Sequence, residues 1–306
     1  MSPAIWVLGE ALMDCVAQPD GTLRPFMGGS PFNLARAAAL RGATVGYLNP
    51  LSTDRFGLQM SEQLVRDGVQ LLLPASHLPT SLAVVQVTHG QPSYGFYREG
   101  IADRDYSVAQ ILSALASTTP GILHTGSLLL VPPEHEKVIA ILKGAKALGW
   151  TISVDVNLRP KLTADLAQYA MAVKAVAELA DWLKASDEDL EVLGFADPTR
   201  ANASQIARHF TAAGASRVAL TFGAQGAWLQ VDGAHAEQDV PSVVLADSVG
   251  AGDTFWGNCL GDWALQDEGA AERVATTLQQ AMRAAAINCT RAGCQPPTYA
   301  EVLTAA

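Results

Sequence analysis

The stretch Asp247-Ser248-Val249-Gly250-Ala251-Gly252-Asp253-Thr254 contains the most informative residues of the chain. Its glycines allow other groups to approach the backbone closely, and the residues after it, to about Leu265, are expected to form a helix. A glycine-rich segment at a helix N-terminus presents unpaired N–H groups and the positive end of the helix dipole. We therefore predict that the backbone of Gly250, Ala251 and Gly252 binds an anion.

Asp253 falls in the first turn of this expected helix, where its side chain would point toward the bound anion. A carboxylate beside an anion site is suited to act as the general base for a hydroxyl group that attacks a phosphoryl group. The alternative is that Asp253 only caps the helix, because aspartate is common in the first turn. The residue pattern alone leaves both interpretations open.

Three further clusters lie beside expected strands or helices. In Gly28-Gly29-Ser30-Pro31-Phe32-Asn33, the glycines would admit a polyol or a phosphate, although an ordinary strand–helix turn is the alternative. In Asp155-Val156-Asn157-Leu158-Arg159-Pro160, alternate polar residues would face one side and suit sugar hydroxyls or phosphate, or form a surface Asp–Arg pair. In Thr221-Phe222-Gly223-Ala224-Gln225-Gly226, the glycines would let the backbone lie close to a nucleotide phosphate, although a plain hairpin turn is the alternative. Ligands of open parallel sheets bind beyond the carboxyl ends of strands, so the clusters together predict one site.

The order of strands and helices predicts an α/β fold. Apolar runs alternate with helices from residue 108 onward, which indicates a mainly parallel sheet covered by helices on both faces. Ser81–Thr88 and Ser93–Arg98 flank the turn cluster His89-Gly90-Gln91-Pro92 and are expected to form a β-hairpin. A second hairpin is expected from Trp228–Val231 and the residues around Val240.

Composition and absent motifs exclude several classes of protein. The 306 residues carry 20 Lys and Arg against 30 Asp and Glu, a formal charge of −10, which disfavours a general nucleic-acid binder or a partner of anionic membranes. The hydrophobic content of 49% excludes intrinsic disorder. The sequence contains neither a P-loop nor the usual dinucleotide-binding glycine motif. No signal peptide, membrane span or histidine-based metal site is recognised, and the four cysteines are expected to be free thiols in the cytosol.

Taken together, these residues resemble the ribokinase-like, PfkB-type carbohydrate kinases. Asp247–Asp253 matches the family signature Asp-Thr-x-Gly-Ala-Gly-Asp with serine in place of threonine, and Gly28-Gly29 with Asn33 matches the N-terminal signature. Within the family, the chain is most similar to fructokinases. The segments that carry this similarity are Gly9-Glu10 with Asp14, Phe96-Tyr97-Arg98 with Ala102-Asp103, His124-x-Gly126-Ser127, Asp155-x-Asn157-Leu158-Arg159 and Lys184–Asp189.

The resemblance implies a fold and a reaction. The fold would be a three-layer αβα sandwich, with residues 1–306 as one catalytic domain and a small β lid from about residues 11–27 and 81–98. The reaction would be phosphorylation of a sugar hydroxymethyl group by ATP, with D-fructose giving fructose 6-phosphate. Asp253 would be the base, Gly250, Ala251 and Gly252 would form the anion site, and Mg²⁺ would arrive with the nucleotide.

The resemblance also implies binding roles for individual residues. The implied sugar-binding residues are Asp14, Gly28, Gly29, Asn33, Arg98, Asn157 and Arg159. The implied ATP-binding residues are Lys184, Ser186, Thr221, Gly223, Gly226, Gly252 and Asn288. Asp189, which is one methylene shorter than the glutamate of the family's Asn-x-x-Glu motif, would bind Mg²⁺ directly or through water. A K⁺ ion, which many relatives use, would lie at Asp247 and the backbone of Val249.

Other functions remain open at this point. The chain could be a kinase of the same family for 2-keto-3-deoxygluconate, ribose or a riboside. It could also be a non-catalytic sensor of sugar or nucleotide, although the intact stretch Gly250–Asp253 argues against this, because a sensor need not keep a base. A cytoplasmic location is expected, and many relatives form a homodimer through the β lid. Nucleic acids and membranes are not expected partners.

Overall fold

Strands and helices alternate along most of the chain. The structure of the protein, a computed structural model, describes residues 4–88 and 91–305. Its strands are, in chain order, β1 (Ile5–Leu8), β2 (Leu12–Ala17), β3 (Leu23–Gly28), β4 (Val45–Tyr47), β5 (Val69–Leu71), β6 (Ser81–Thr88), β7 (Gln91–Tyr97), β8 (Ile122–Gly126), β9 (Thr151–Asp155), β10 (Trp182–Ser186), β11 (Arg217–Thr221), β12 (Ala227–Val231) and β13 (Ala234–Gln238). Its α-helices are α1 (Ser30–Leu40), α2 (Arg55–Arg66), α3 (Val108–Ala116), α4 (His135–Ala147), α5 (Leu166–Ala177), α6 (Asp187–Val192), α7 (Ala203–Ala212), α8 (Ala251–Leu265), α9 (Val274–Cys289) and α10 (Tyr299–Thr304). None of the helices in these two ranges combines the length and the apolarity that crossing a membrane requires.

Within these ranges, nine strands form one sheet in the order β13-β12-β11-β10-β9-β8-β1-β4-β5. The strands from β11 to β5 run parallel, and β12 and β13 are added antiparallel at one edge. Alternate residues of a strand face opposite sides. In β1, Trp6 and Leu8 therefore pack in the core formed with α3 to α7, whereas Ile5 and Val7 pack in the core formed with α1, α2, α8 and α9. Helices cover both faces, so the predicted mainly parallel α/β sandwich is confirmed.

A second, smaller sheet has the strand order β3-β2-β6-β7. Strand β2 pairs antiparallel with β3 and parallel with β6, and β6 pairs antiparallel with β7. This sheet is the small β lid that the resemblance implied. The hairpin turn is shorter than expected, because Gln91 and Pro92 belong to β7, where Pro92 pairs with Val87. Strand β7 is an edge strand, and an edge strand tolerates a proline. His89 and Gly90 of the expected turn lie outside the described residues.

The second predicted hairpin is present, but its second strand was misplaced. Strand β13 ends at Gln238 and does not reach Val240. The turn consists of Asp232 and Gly233, which both have positive φ, of 50° and 93°. A two-residue Asp-Gly turn of this kind is a strong hairpin signal, and it fixes where the second strand begins.

The carboxyl ends of the central strands meet at one edge of the large sheet. The last residues of β1, β8, β9, β10 and β11 are Leu8, Gly126, Asp155, Ser186 and Thr221. The small sheet begins only four residues after β1, so its strand β2 starts at this same edge. Ligands of open α/β sheets bind in the crevice beyond such strand ends, so the fold places the candidate site here.

Candidate active site

The Asp253 carboxylate lies at the start of α8, in contact with the start of α1. Ser30 Oγ donates a hydrogen bond to Asp253 Oδ1 (2.7 Å), and Asn33 Nδ2 donates one to Oδ2 (2.9 Å). Burial raises the pKa of Asp253, and it outweighs the opposing effects of these hydrogen bonds and of the charges on Lys184 and Arg159. A carboxylate with a raised pKa is a better proton acceptor, as a general base requires.

The turn before α8 has a backbone that only glycine fits. Gly250 has a φ of 73°, and a Cβ atom added to it would lie 2.2 Å from Cys294 Sγ. The Ala251 N–H donates to the Ser248 carbonyl at 3.2 Å, whereas the N–H groups of Gly252 and Asp253 have no partner within the helix. A Cβ atom added to Gly252 would lie 3.2 Å from Lys184 Nζ, so the ammonium group lies directly against this turn. The groups that the predicted anion site requires are therefore close together.

Lys184 reaches the turn from strand β10 and pairs with Asp155 on the neighbouring strand β9. Its Nζ donates to both carboxylate oxygens of Asp155, at 2.9 and 3.0 Å. Both residues are buried, with 4% and 0% of their surface exposed. Burial lowers the pKa of Lys184, but the attraction of Asp155, Asp189 and Asp253 outweighs it and the pKa is raised. Lys184 therefore holds a positive charge against the glycine turn of α8.

Strands β2 and β3 bring Asp14 next to Gly28 and Gly29. A Cβ atom on Gly28 would lie 2.2 Å from Asp14 Oδ2, and one on Gly29, whose φ is 103°, would lie 2.5 Å from the Glu10 carbonyl oxygen. Burial raises the pKa of Asp14 to about 6, against the attraction of Arg159 and together with the repulsion from Asp253. Asp14 thus shares the electrostatic environment of Asp253, which fits its predicted contact with sugar hydroxyls.

Arg159 is held by the loop that follows β9. Its Nη1 donates to the Asn157 side-chain oxygen at 2.6 Å and to the backbone carbonyls of Asn157 and Leu158. Asn157 has a positive φ of 36°. The charge of Arg159 lowers the pKa of both Asp14 and Asp253, so the guanidinium group lies near both carboxylates. Two members of the predicted Asp–Asn–Arg cluster are therefore in contact, with Asn157 positioning Arg159, whereas Asp155 pairs with Lys184.

Arg98 lies at the base of the lid, just after β7. Its Nη1 donates to the Leu128 carbonyl at 3.4 Å, and its Nη2 lies 3.9 Å from Asp103 Oδ2. The buried Glu10 is close enough that Arg98 lowers its pKa, although burial still raises that pKa to about 7. Arg98 therefore links the lid to buried acidic groups, and its contact with sugar stays a prediction.

Comparison with known proteins assigns the chain to a family. The model of the family described as "pfkB family carbohydrate kinase" matches residues 3–300. The chain belongs to the pfkB family. A fructokinase of Rhizobium leguminosarum bv. trifolii is 31% identical over 281 residues, which are 90% of this chain and 84% of that protein. A fructokinase of Vibrio alginolyticus is 31% identical over 300 residues, 92% of this chain and 95% of that protein. The structure of a fructokinase from Xylella fastidiosa with bound ATP has a TM-score of 0.85 at 28% identity, covering 99% of this chain and 98% of that one. The resemblance to carbohydrate kinases of this family is confirmed.

Three predicted ATP-binding residues of this pfkB kinase lie in the turn between β11 and β12. Thr221 ends β11, Gly223 has a φ of 50°, and Gly226 has a φ of 93°. A Cβ atom on Gly226 would lie 2.0 Å from the Gln238 carbonyl oxygen, so packing against β13 also requires glycine there. The two strands are antiparallel, so the segment is a hairpin turn at the edge of the crevice. Its contact with ATP stays a prediction.

Ser186 and Asp189 of the pfkB kinase cap helix α6. Ser186 Oγ accepts from the Asp189 backbone N–H, and Asp189 Oδ2 accepts from the Ser186 N–H at 2.8 Å. Asp189 Oδ1 accepts from the Leu158 N–H at 2.6 Å, which ties α6 to the loop of Arg159. In the part of the chain that the structure describes, no group of three or more His, Cys, Asp or Glu side chains could hold a metal ion. The predicted contacts of Asp189 with Mg²⁺ and of Ser186 with ATP remain untested.

Asp247, Val249 and Asn288 meet behind the anion-site turn. Asn288 is fully buried, and its amide donates to the Val249 carbonyl at 2.8 Å while its side-chain oxygen accepts from the Gln295 N–H at 2.7 Å. Both polar atoms of Asn288 are thus engaged within the protein, and a contact with ATP stays a prediction.

Three residues of the site have partners that were not predicted from the sequence. Ser30 bonds to Asp253, Asp155 pairs with Lys184, and Glu10 accepts a hydrogen bond from the Ser30 N–H at 3.2 Å. All three lie inside segments that carried the family resemblance. Contacts between residues more than 100 positions apart, such as Ser30 with Asp253, have no local sequence signal.

Ser30→Ala should move the acidic limb of the pH–rate profile to higher pH. The Ser30 hydroxyl stabilises ionised Asp253 and lowers its pKa, so its loss raises that pKa further. One lost hydrogen bond of about 1 kcal/mol corresponds to a shift of roughly 0.7 pH unit. Asp253 loses its ionised form as the pH falls through its pKa. As the pH is lowered, the variant should therefore lose activity at a higher pH than the wild type. The check is kcat/KM between pH 5 and 9 for both proteins, because titration of the nucleotide is common to the two and cancels. A shift to lower pH would contradict the assignment.

Proposed function

We propose that this pfkB kinase is a fructokinase, which transfers the γ-phosphoryl group of ATP to the 6-hydroxyl group of D-fructose. The observation that carries the proposal is the Asp253 carboxylate, buried beside the glycine turn of α8 and aligned by Ser30 and Asn33. This is the geometry that a base beside a phosphoryl group needs. Fructose is proposed as the acceptor because the curated relatives at 31% identity are fructokinases.

The side chains of the site divide the reaction between them. Asp253 accepts the proton of the sugar hydroxyl while the oxygen of that hydroxyl bonds to the γ-phosphorus of ATP. The bond between the γ-phosphorus and the β–γ bridging oxygen breaks, and ADP leaves. The N–H groups of Gly250 to Gly252 and the Lys184 ammonium stabilise the charge on the transferring group and on ADP. Asp14, Asn33 and Arg159 would orient the sugar, and Asn33 Oδ1, which is buried and has no hydrogen-bond partner, offers an acceptor for a hydroxyl.

ATP is proposed as the donor because the Xylella fastidiosa fructokinase structure contains bound ATP. Mg²⁺ is proposed to arrive with it and to neutralise phosphate charge when bound. The site offers carboxylate oxygens, which Mg²⁺ prefers. Both Asp189 oxygens already accept backbone N–H groups, so Asp189 would hold the ion through water.

The remaining proposals concern the whole protein. Residues 1–306 are proposed to act as one catalytic unit in which the small sheet closes over bound sugar. We propose a homodimer through this lid on the family resemblance alone. We propose a cytoplasmic location on the same ground, because a sugar kinase that uses cellular ATP works where that ATP is.

A substrate panel tests the proposed function. ADP release should be measured with D-fructose, ribose, 2-keto-3-deoxygluconate and a purine riboside. We expect kcat/KM for fructose to exceed that of each competitor by at least about 10-fold. A site built to hydrogen-bond the hydroxyl groups of one sugar rejects sugars that lack them at least this strongly. A higher kcat/KM for another sugar would replace fructose as the substrate. If fructose raises the melting temperature of the protein but no sugar leads to ADP formation, the result would instead support a non-catalytic sugar sensor.

A further inference from the structure

The loop before the anion-site turn is fastened by side chains of the protein itself. Asp247 Oδ1 accepts from the Val249 N–H (3.0 Å) and Oδ2 from the Gly293 N–H (2.9 Å). The Val249 carbonyl accepts from Asn288 Nδ2, while the other end of the Asn288 amide is bonded to the Gln295 N–H. These bonds connect the loop to the C-terminal end of α9 and to the segment after it.

The same atoms are the ligands that the family resemblance implies for K⁺. A monovalent cation there would have to contact the Val249 carbonyl and the Asp247 carboxylate. The Asn288 amide nitrogen already lies 2.8 Å from that carbonyl, and Asn288 is 0% exposed. The partly positive N–H of a buried amide and a cation would repel each other at one oxygen. Both Asp247 oxygens are also engaged by N–H donors, so these residues do not fit the ion.

We propose that the Asn288 side-chain amide takes the place of the monovalent cation and makes the kinase independent of potassium. Asn288 is a positioning residue: it holds the Val249 carbonyl, and through it the backbone that leads into Gly250. An ion binds and dissociates, whereas an amide donor on α9 is always present. The inference rests on the proposed phosphoryl transfer, in which this backbone stabilises charge.

The wild-type protein provides the first test. Its melting temperature and its kcat should be the same in KCl and in tetramethylammonium chloride at equal ionic strength, with kcat within about twofold. Activation of several-fold by KCl, together with a rise in melting temperature, would overturn the proposal, since ion and amide would then bind together.

Two variants provide the second test. Asn288→Ala removes the donor and leaves room, and Asn288→Asp replaces it with a negative charge that a cation would neutralise. In tetramethylammonium chloride both should lose activity, by about 10–100-fold for a displaced anion site. KCl should restore much of the loss and raise the melting temperature by at least about 2 °C. If neither variant responds to KCl in either measurement, the proposal is wrong.

A matched control lies on the same helix. Thr277 is buried on α9 and donates a hydrogen bond to Asp262 Oδ2 at 2.8 Å. Thr277→Val should lower the melting temperature without making it, or kcat, dependent on KCl. The melting temperature needs no turnover, so a potassium response of Asn288→Asp is measurable even if the proposed sugar is not the substrate. Failure of the proposed function and failure of this inference are thereby distinguished.

Discussion

Asp253→Asn should remove almost all sugar phosphorylation while leaving the protein folded. The asparagine side chain cannot accept the hydroxyl proton, and loss of a general base lowers kcat by about 10²–10⁴-fold. This corresponds to roughly 3–5 kcal/mol of transition-state stabilisation. Of the carboxylates near the glycine turn, Asp155 is paired with Lys184 and Asp189 with backbone N–H groups. Neither is placed to replace Asp253.

The same substitution should leave the stability unchanged or increase it. Asp253 is 7% exposed, and burial raises its pKa, which means that the folded protein disfavours its ionised form. A neutral amide of the same shape removes that penalty, and its oxygen can still accept from Ser30 or Asn33. Greater stability together with lost activity is the behaviour expected of a residue kept for chemistry.

The measurement is a coupled ADP assay together with thermal unfolding and ATP titration. Glu268→Gln is the matched control, because Glu268 lies exposed just after α8 and the same kind of change there should alter neither rate nor melting temperature. An Asp253→Asn enzyme that turns over at near-normal rate would show that Asp253 only caps the helix.

The sequence was most informative where a local rule determines the structure. The glycine turn before α8 could be recognised because positive φ at Gly250 requires glycine. The lid was inferred from the expected hairpin of Ser81–Thr88 and Ser93–Arg98 and from the family resemblance, and the small sheet of β2, β3, β6 and β7 is present. Strand β13 lies before Val240 because the two-residue turn Asp232-Gly233 makes the strand begin at Ala234.

The sequence was least informative about partners across the fold. Nothing near Asn288 indicates that its amide will bond to Val249, 39 residues earlier, and Ser30 gives no sign of its bond to Asp253. The acidic surplus shows the same limit. The charge of −10 disfavours anionic partners such as nucleic acids, yet the structure places Lys184 and Arg159 close to Asp253. Total charge therefore says little about the charge within one crevice.

Among the substitutions proposed for this protein, those that break the Lys184–Asp155 pair should lower the free energy of unfolding most. Removing one partner leaves a buried charge without its counter-ion, which typically costs about 3–5 kcal/mol. Lys184→Met should also lower kcat by about 10²–10³-fold, since it removes a donor from the anion site. Lys184→Met is expected to be the more damaging change, because Asp155 would then face Asp189 and Asp253, whereas Lys184 in Asp155→Ala keeps their attraction.

A double variant separates pairing from catalysis. Asp155→Ala with Lys184→Met removes both charges and should recover part of the lost stability, but not the activity, because the ammonium is still absent. The control is Lys146→Met, which breaks an ion pair with Asp181 whose side chains are 40% and 31% exposed. That change should cost no more than about 1 kcal/mol. Equal losses for the buried and exposed pairs would contradict the role of burial.

The two single variants should respond to pH in opposite directions. In Lys184→Met, the lone buried Asp155 has a folded pKa above its unfolded value of about 3.9, so the folded state holds an extra proton and stability falls as the pH rises. In Asp155→Ala, Lys184 stays buried but loses the attraction of Asp155, the largest of those that raise its pKa, so its folded pKa falls relative to wild type and its stability deficit shrinks as the pH rises. Urea unfolding at pH 5.5, 7 and 9 should therefore show the deficit relative to wild type growing with pH for Lys184→Met and shrinking for Asp155→Ala. If the deficit changes with pH in the same direction in both variants, Lys184 and Asp155 are not held as an ion pair. The positive charge assigned to Lys184 beside the glycine turn would then be wrong.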